Sequence, residues 1–161
     1  MGTTELLNAV TSTNEYIVKN HASMNMFVTV FMGVLNPITG KLMYVNAGHE
    51  TAYIIGKDGI KDRLKPTGPA VGLFPDTRFK LGETLLEPGD ILFTYTDGVP
   101  DARNSAGKRL GKNWLEDFLN HSVSPAGELI DCIEERLSAH RGNADQFDDI
   151  TILIAQRSPQ A

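Results

Sequence analysis

The chain has 161 residues, 41% of them hydrophobic and 22% charged, with a formal net charge of −5 at pH 7. That length and apolar content suit one domain, residues 1–161, with a sizeable core, and the scattered Lys and Arg give no basic stripe for nucleic acid. No apolar run approaches the roughly 18 residues of a membrane span, no signal-peptide pattern is present, and a single cysteine cannot staple a secreted scaffold. The sequence reads as soluble and cytoplasmic, with no membrane contact of its own; a membrane anchor, if the parent protein has one, belongs to flanking regions.

From Thr3 to about Lys19 the spacing of Leu6, Leu7, Val10, Tyr16 and Ile17 predicts a helix, with Thr3 or Thr4 as its cap. Met26 to Leu35 is rich in β-branched and aromatic residues, Asn36-Pro37-Ile38-Thr39-Gly40 interrupts it, and Lys41 to Asn46 resumes, which is a hairpin pattern. Thr51 to Ile55 and Ile60 to Leu64 are further short strands around Lys57-Asp58-Gly59. Connections this short favour antiparallel pairing, since parallel crossovers need a dozen or more residues. Pro66 to Pro75 is a Gly/Pro-rich loop; its Gly68 to Leu73 stretch lacks the Gly-Lys-Ser/Thr ending of a phosphate-binding loop and reads as a turn. Phe79 to Leu86 alternates before the Glu87-Pro88-Gly89-Asp90 turn, and Ile91 to Thr96 is a buried strand.

Helical patterns then cover Trp114 to Leu119 and Ser124 to about His140, with Pro125 near the first turn of the second. Trp114, Leu115, Phe118 and Leu119 are expected in the core, as is Cys132, which lies near Leu129, Ile133 and Leu137. Ile150 to Ala155 is a closing strand. Many strands, a pair of late helices and a final strand predict an α+β domain with antiparallel β-sheets packed against helices.

The chemistry concentrates at two strand ends. Ile91 to Thr96 stops on Asp97-Gly98, and Asp148-Asp149 opens the last apolar run. Adjacent strands entering and leaving at one sheet edge would bring these carboxylates together as hard oxygen donors, the ligand type that Mg²⁺ and Mn²⁺ prefer. Gly98 lets backbone approach a ligand closely. Taken singly, Asp-Gly is a common turn pair and acidic residues often only solvate a strand entrance. His49, in the turn Asn46-Ala47-Gly48-His49, is either a proton donor to a leaving alkoxide or a turn histidine bonded to backbone. Asp101, after Asp97-Gly98-Val99-Pro100, reads on its own as a solvated loop aspartate.

Five ordered motifs carry a family resemblance: Phe27-Val-Thr-Val-Phe31, Asn46-Ala-Gly-His49, Leu86-Glu-Pro-Gly-Asp-Ile-Leu92, Thr94-Tyr-Thr-Asp-Gly-Val99 and Phe147-Asp-Asp-Ile-Thr151. From about Leu6 to Arg157 the chain resembles the PPM/PP2C-type serine/threonine phosphatases of the bacterial sporulation stage II protein E and sigma-factor regulator group. The resemblance implies an α-β-β-α sandwich, a centre of two divalent cations (Mn²⁺ or Mg²⁺), and hydrolysis of phosphoserine or phosphothreonine by activated water. It further implies that Asp97, Gly98 through its carbonyl, Asp148 and, less firmly, Asp149 hold the metals, and that the substrate is a phosphorylated anti-sigma-factor antagonist. The family's Asp-x-x-Gly-(His/Lys)-Gly motif, which carries the first metal-binding aspartate, has no match in this chain. The chain is therefore expected to be an N-terminally truncated, incomplete domain, inactive alone and prone to homodimerise through an uncovered sheet edge. A non-catalytic regulatory or interaction module built on the same fold is the alternative.

Overall fold

In a computed structural model, which describes residues 3–21, 26–121 and 125–158, the chain divides into two compact units. One comprises Met1–Thr51 and Leu64–Leu86, the other Ala52–Arg63 and Glu87–Ala161. Among the described residues no helix is long and apolar enough to cross a membrane.

The first unit begins with helix α1, Thr3–His21, whose Glu5 lies in the first turn and Lys19 and His21 in the last, matching the helix dipole. Leu6, Val10 and Asn14 recur at four-residue spacing and are buried, whereas Tyr16 is 61% exposed, contrary to its place in the predicted apolar set. Asn14 is a polar residue on a core face because both ends of its amide are used: Nδ2 donates to the Phe74 carbonyl at 3.0 Å and Oδ1 accepts from the Gly72 amide at 2.8 Å. Strands β1 (Val30–Leu35) and β2 (Lys41–Ala47) form the predicted hairpin, and β5 (Gly82–Leu85) pairs with the other side of β2, all antiparallel. Leu6, Val10, Val45, Ala47, Val71 and Phe79 make the core of this unit. The stretch at 26–29 adds one bridge, Val28 to Val71, instead of lengthening β1, and β5 is shorter than the alternating pattern.

In the second unit β3 (Ala52–Gly56), β4 (Gly59–Leu64), β6 (Ile91–Tyr95) and β7 (Ile152–Gln156) form a sheet in the order β4-β3-β6-β7. A four-residue helix α2 (Gly98–Asp101), α3 (Lys112–His121) and α4 (Ala126–Arg141) complete it. Phe93, Leu115, Leu119, Leu129 and Ile133 are buried in one cluster, with Trp114 and Phe118 partly buried against it. The predicted start of α4 at Ser124 lies outside the described residues. Cys132 is exposed, correcting its expected burial: Leu129, Ile133 and Leu137 define the buried stripe at four-residue steps, and Cys132 sits about 100° around the helix from Ile133.

Two polar anchors stabilise this unit. Asp90 is buried, and its Oδ2 accepts from the Glu87 amide and from Lys61 Nζ, each at 2.8 Å, which fixes the turn before β6. Tyr53 donates to Glu116 Oε1 at 3.0 Å, and Arg63 Nη2 donates to Glu116 Oε2 at 3.0 Å, tying β3 and β4 to α3. Burial pushes the Tyr53 phenol up to about 12; the hydrogen bond with Tyr95 partly offsets this and Glu116 adds to it. An unfolded chain ionises tyrosine near 10, so this contribution to stability is fully present below pH 10 and is lost as pH rises from 10 towards 12. Urea unfolding across that window is expected to show a steeper loss in the parent than in Tyr53→Phe; parallel curves would exclude it.

Candidate metal centre

Strand β6 reads Ile91-Leu-Phe-Thr-Tyr95 and β7 reads Ile152-Leu-Ile-Ala-Gln156, both dominated by residues that favour a pleated, half-buried surface. They pair antiparallel, Ile91 opposite Gln156 and Tyr95 opposite Ile152, so the end of β6 lies beside the start of β7. Thr96 extends the contact beyond the strands. Its amide donates to the Thr151 carbonyl at 3.0 Å, its hydroxyl donates to the Asp149 carbonyl at 3.0 Å, and the same hydroxyl oxygen accepts from the Thr151 amide at 2.9 Å.

Gly98 brings the two backbones closer still. A Cβ on this residue would collide with the Asp149 carbonyl oxygen and lie 2.9 Å from its carbon. The glycine is buried, while Asp97, Asp148 and Asp149 are exposed. Asp97 takes the N-cap position of α2 without capping it through its side chain. Asp148 Oδ1 accepts from the Asp149 amide at 2.8 Å, and Gln146 Nε2 donates to the Asp148 carbonyl at 2.9 Å, which shapes the turn into β7. The segments bearing all four predicted metal residues therefore meet at one end of one sheet.

Asp101 and His49 are each engaged locally. Asp101 forms an ion pair with Arg109, Oδ1 to Nη1 at 3.2 Å. His49 belongs to the first unit, where its Nδ1 is 3.3 Å from Thr29 Oγ1 and its amide donates to Asn46 Oδ1 at 2.9 Å. Asn46 is fully buried and donates to the carbonyls of Glu50 and Leu64, both at 3.0 Å. Gly48, at φ 68°, would place a Cβ 2.6 Å from the Ala70 nitrogen, so this turn needs glycine for both conformation and space. The Asn-Ala-Gly-His motif thus closes a loop.

The donors suit a hard divalent cation in kind, being carboxylate oxygens with a Cβ-free backbone beside them. Mg²⁺ commonly uses only one or two carboxylates. Among the described residues no group of three or more His, Cys, Asp and Glu is gathered for a metal. Two features of this region escaped the sequence reading: the helix α2, and the Arg103 guanidinium lying over the Phe147 ring, 3.6 Å from its centroid. A single sequence offered only proximity of Phe147 to Asp148 as a cue.

The antiparallel sheets and accompanying helices have the fold of solved PP2C domains. The SiaA-PP2C domain of Pseudomonas aeruginosa superposes with a TM-score of 0.78 at 21% identity, covering 91% of this chain and 58% of that one. The phosphatase domain of the cell-fate determinant SpoIIE from Bacillus subtilis gives 0.64 at 14% identity, covering 100% and 76%. Residues 3–158 match the family described as Stage II sporulation protein E (SpoIIE), and the chain belongs to that family. Protein IcfG of Synechocystis sp. is 43% identical over 154 residues, and phosphoserine phosphatase RsbU of Bacillus subtilis 27% over 142. These alignments cover 96% and 88% of this chain but only 24% and 42% of the relatives' own lengths.

The contact at Gly98 can be tested directly. Gly98→Ala forces the 97–98 and 149–150 backbones apart, and overpacking of this kind costs about 1–3 kcal/mol. Chemical denaturation is expected to register that loss; an unchanged midpoint would show that the segments separate freely.

Proposed function

We propose that this chain is part of a metal-dependent serine/threonine protein phosphatase domain, 1–161 being the N-terminally truncated portion. The observation that carries the proposal is the β6–β7 pairing, which sets Asp97 and Gly98 against Asp148 and Asp149. In this reading Asp97, the Gly98 carbonyl, Asp148 and Asp149 contribute to holding two divalent cations, Mn²⁺ or Mg²⁺. When bound, such cations stabilise charge developing on a phosphoryl group and activate water for in-line attack. Thr96 keeps the two carboxylate-bearing segments in register, and the exposure of the aspartates leaves them open to a phosphoserine or phosphothreonine on another protein. The name of the relative RsbU, a phosphoserine phosphatase, supports a phosphoserine substrate, and an anti-sigma-factor antagonist in a bacterial cytoplasm is the target the family resemblance implies.

The absent Asp-x-x-Gly-(His/Lys)-Gly motif makes the chain alone inactive in this proposal. The lack of a three-ligand group among the described residues favours the second reading, a regulatory or interaction module that never turns over substrate. Manganese-dependent hydrolysis of a phosphoserine peptide separates them. Turnover is expected when the chain is joined to its parent's preceding sequence, with a fall of at least about 100-fold in Asp97→Asn and in Asp148→Asn, in keeping with removal of charge-stabilising groups. No turnover in the extended form, or turnover indifferent to both substitutions, would favour the module.

Self-association belongs to the same proposal. The strand orders leave β1 and β5 at the edges of one sheet and β4 and β7 at the edges of the other, and Leu153 on β7 is 52% exposed. Open apolar edges pair with further strands. Light scattering is expected to give a dimer at micromolar concentration that Leu153→Lys weakens; a monomer throughout would rule it out.

A further inference from the structure

Beside Gly98 and Asp148 the second unit has a cleft of about 330 Å³ whose lining also includes Arg103, Arg141 and Phe147. Small-ligand sites span about 300–1,000 Å³. One part of this lining is thus candidate metal-holding residues, and another is two arginines. Arg103 is positioned by the ring of Phe147, with its guanidinium carbon 3.6 Å from the ring centroid. Stacking of this kind orients the planar fork while leaving its in-plane N–H groups to a ligand.

Among the described residues Arg103 makes no ion pair, and its Nε is buried with no hydrogen-bond partner. The cleft's own acids include Glu134 and Asp145, yet neither pairs with it. A guanidinium that is oriented, partly desolvated and unpaired matches the bidentate geometry of a phosphate or carboxylate. We infer that Arg103 recognises the phosphoryl group of a phosphorylated serine or threonine side chain entering this cleft, with Phe147 holding its guanidinium in place. The inference rests on the phosphatase reading and names the group on this chain that selects substrate charge.

Isothermal titration of the chain with excess manganese tests it, using a phosphoserine peptide, the same peptide with glutamate at that position, and inorganic phosphate. The phosphopeptide is expected to bind at least about tenfold more tightly to the parent than to Arg103→Ala, with Arg103→Lys recovering part of the loss because it keeps the charge but not the fork. Inorganic phosphate is expected to compete, and the glutamate peptide to bind about tenfold more weakly or worse. Thermal melting shows whether Arg103→Ala stays folded; if it does not, the comparison passes to Arg103→Lys, whose affinity must still fall. Affinity within twofold of the parent in a folded Arg103 variant, equal binding of the glutamate peptide, or no phosphopeptide binding by the parent each overturn the inference. Asp97→Asn distinguishes the two levels. Loss of manganese-dependent binding there, with Arg103→Ala unaffected, leaves the metal centre standing and removes Arg103. Arg103-dependent binding indifferent to Asp97→Asn and to manganese keeps the anion site and removes the metal centre.

Discussion

The hydroxyl of Thr96 sits where two stretches of chain, distant in sequence, become one surface. It receives the Thr151 amide and donates to the Asp149 carbonyl, so both segments are satisfied by the same small side chain. The β6–β7 ladder sets the register, and Thr96 carries it past the last ladder pair to the carboxylates. Because side chains alternate across a strand, a slip of one residue would turn every side chain of β7 to the opposite face and misplace the aspartates with them. Gly98 adds a steric requirement at the same point, since only a residue without Cβ tolerates the Asp149 backbone there. Candidate chemistry at this end of the sheet thus depends on backbone register before it depends on any titratable group.

Much of this was legible because it is local. The run from Ile91 to Thr96 stops on Asp97, the run from Ile150 to Ala155 follows Asp148-Asp149, and strand pairing converts that pattern into proximity. The hairpin at 30–47 announces itself through Asn36-Pro37 and Gly40 between β-rich runs. Errors arose where position depends on phase or on distant partners. Cys132 belongs to a helix whose buried stripe is read correctly from Leu129, Ile133 and Leu137, but one step of the helix carries it to the surface. Helix α2 hides in Asp97-Gly98-Val99-Pro100, which has the composition of a turn. Arg103 over Phe147 is a contact across more than forty residues, with no periodic signature.

The two polar anchors of the second unit differ in kind. Lys61, Glu87 and Asp90 form a charged cluster around a turn, where the two carboxylates, working against the cost of burial, hold the lysine above its ordinary pKa. The Tyr53–Glu116–Arg63 link joins sheet to helix through a neutral phenol and an ion pair. In the first unit Asn14 and Asn46 do comparable work with uncharged amides, each using both its donor and its acceptor. Full use of hydrogen-bonding capacity is what allows such groups to sit in a core without a large desolvation penalty.

The stretch from Gly98 to Phe147 leaves the sheet after Asp97, builds α2, α3 and α4, and returns at Asp148. Closing a longer excursion is entropically cheap, since the cost grows only with the logarithm of length. Helices in that stretch are therefore open to change on their exposed faces, while Leu115, Leu119, Leu129 and Ile133 stay committed to the cluster that includes Phe93 of β6. Arg103 and Arg141 lie inside the excursion, whereas Asp97 and Asp148 lie at its two feet. One frame can in this way accept variation on the surface between the feet while the two acidic strand ends keep their places.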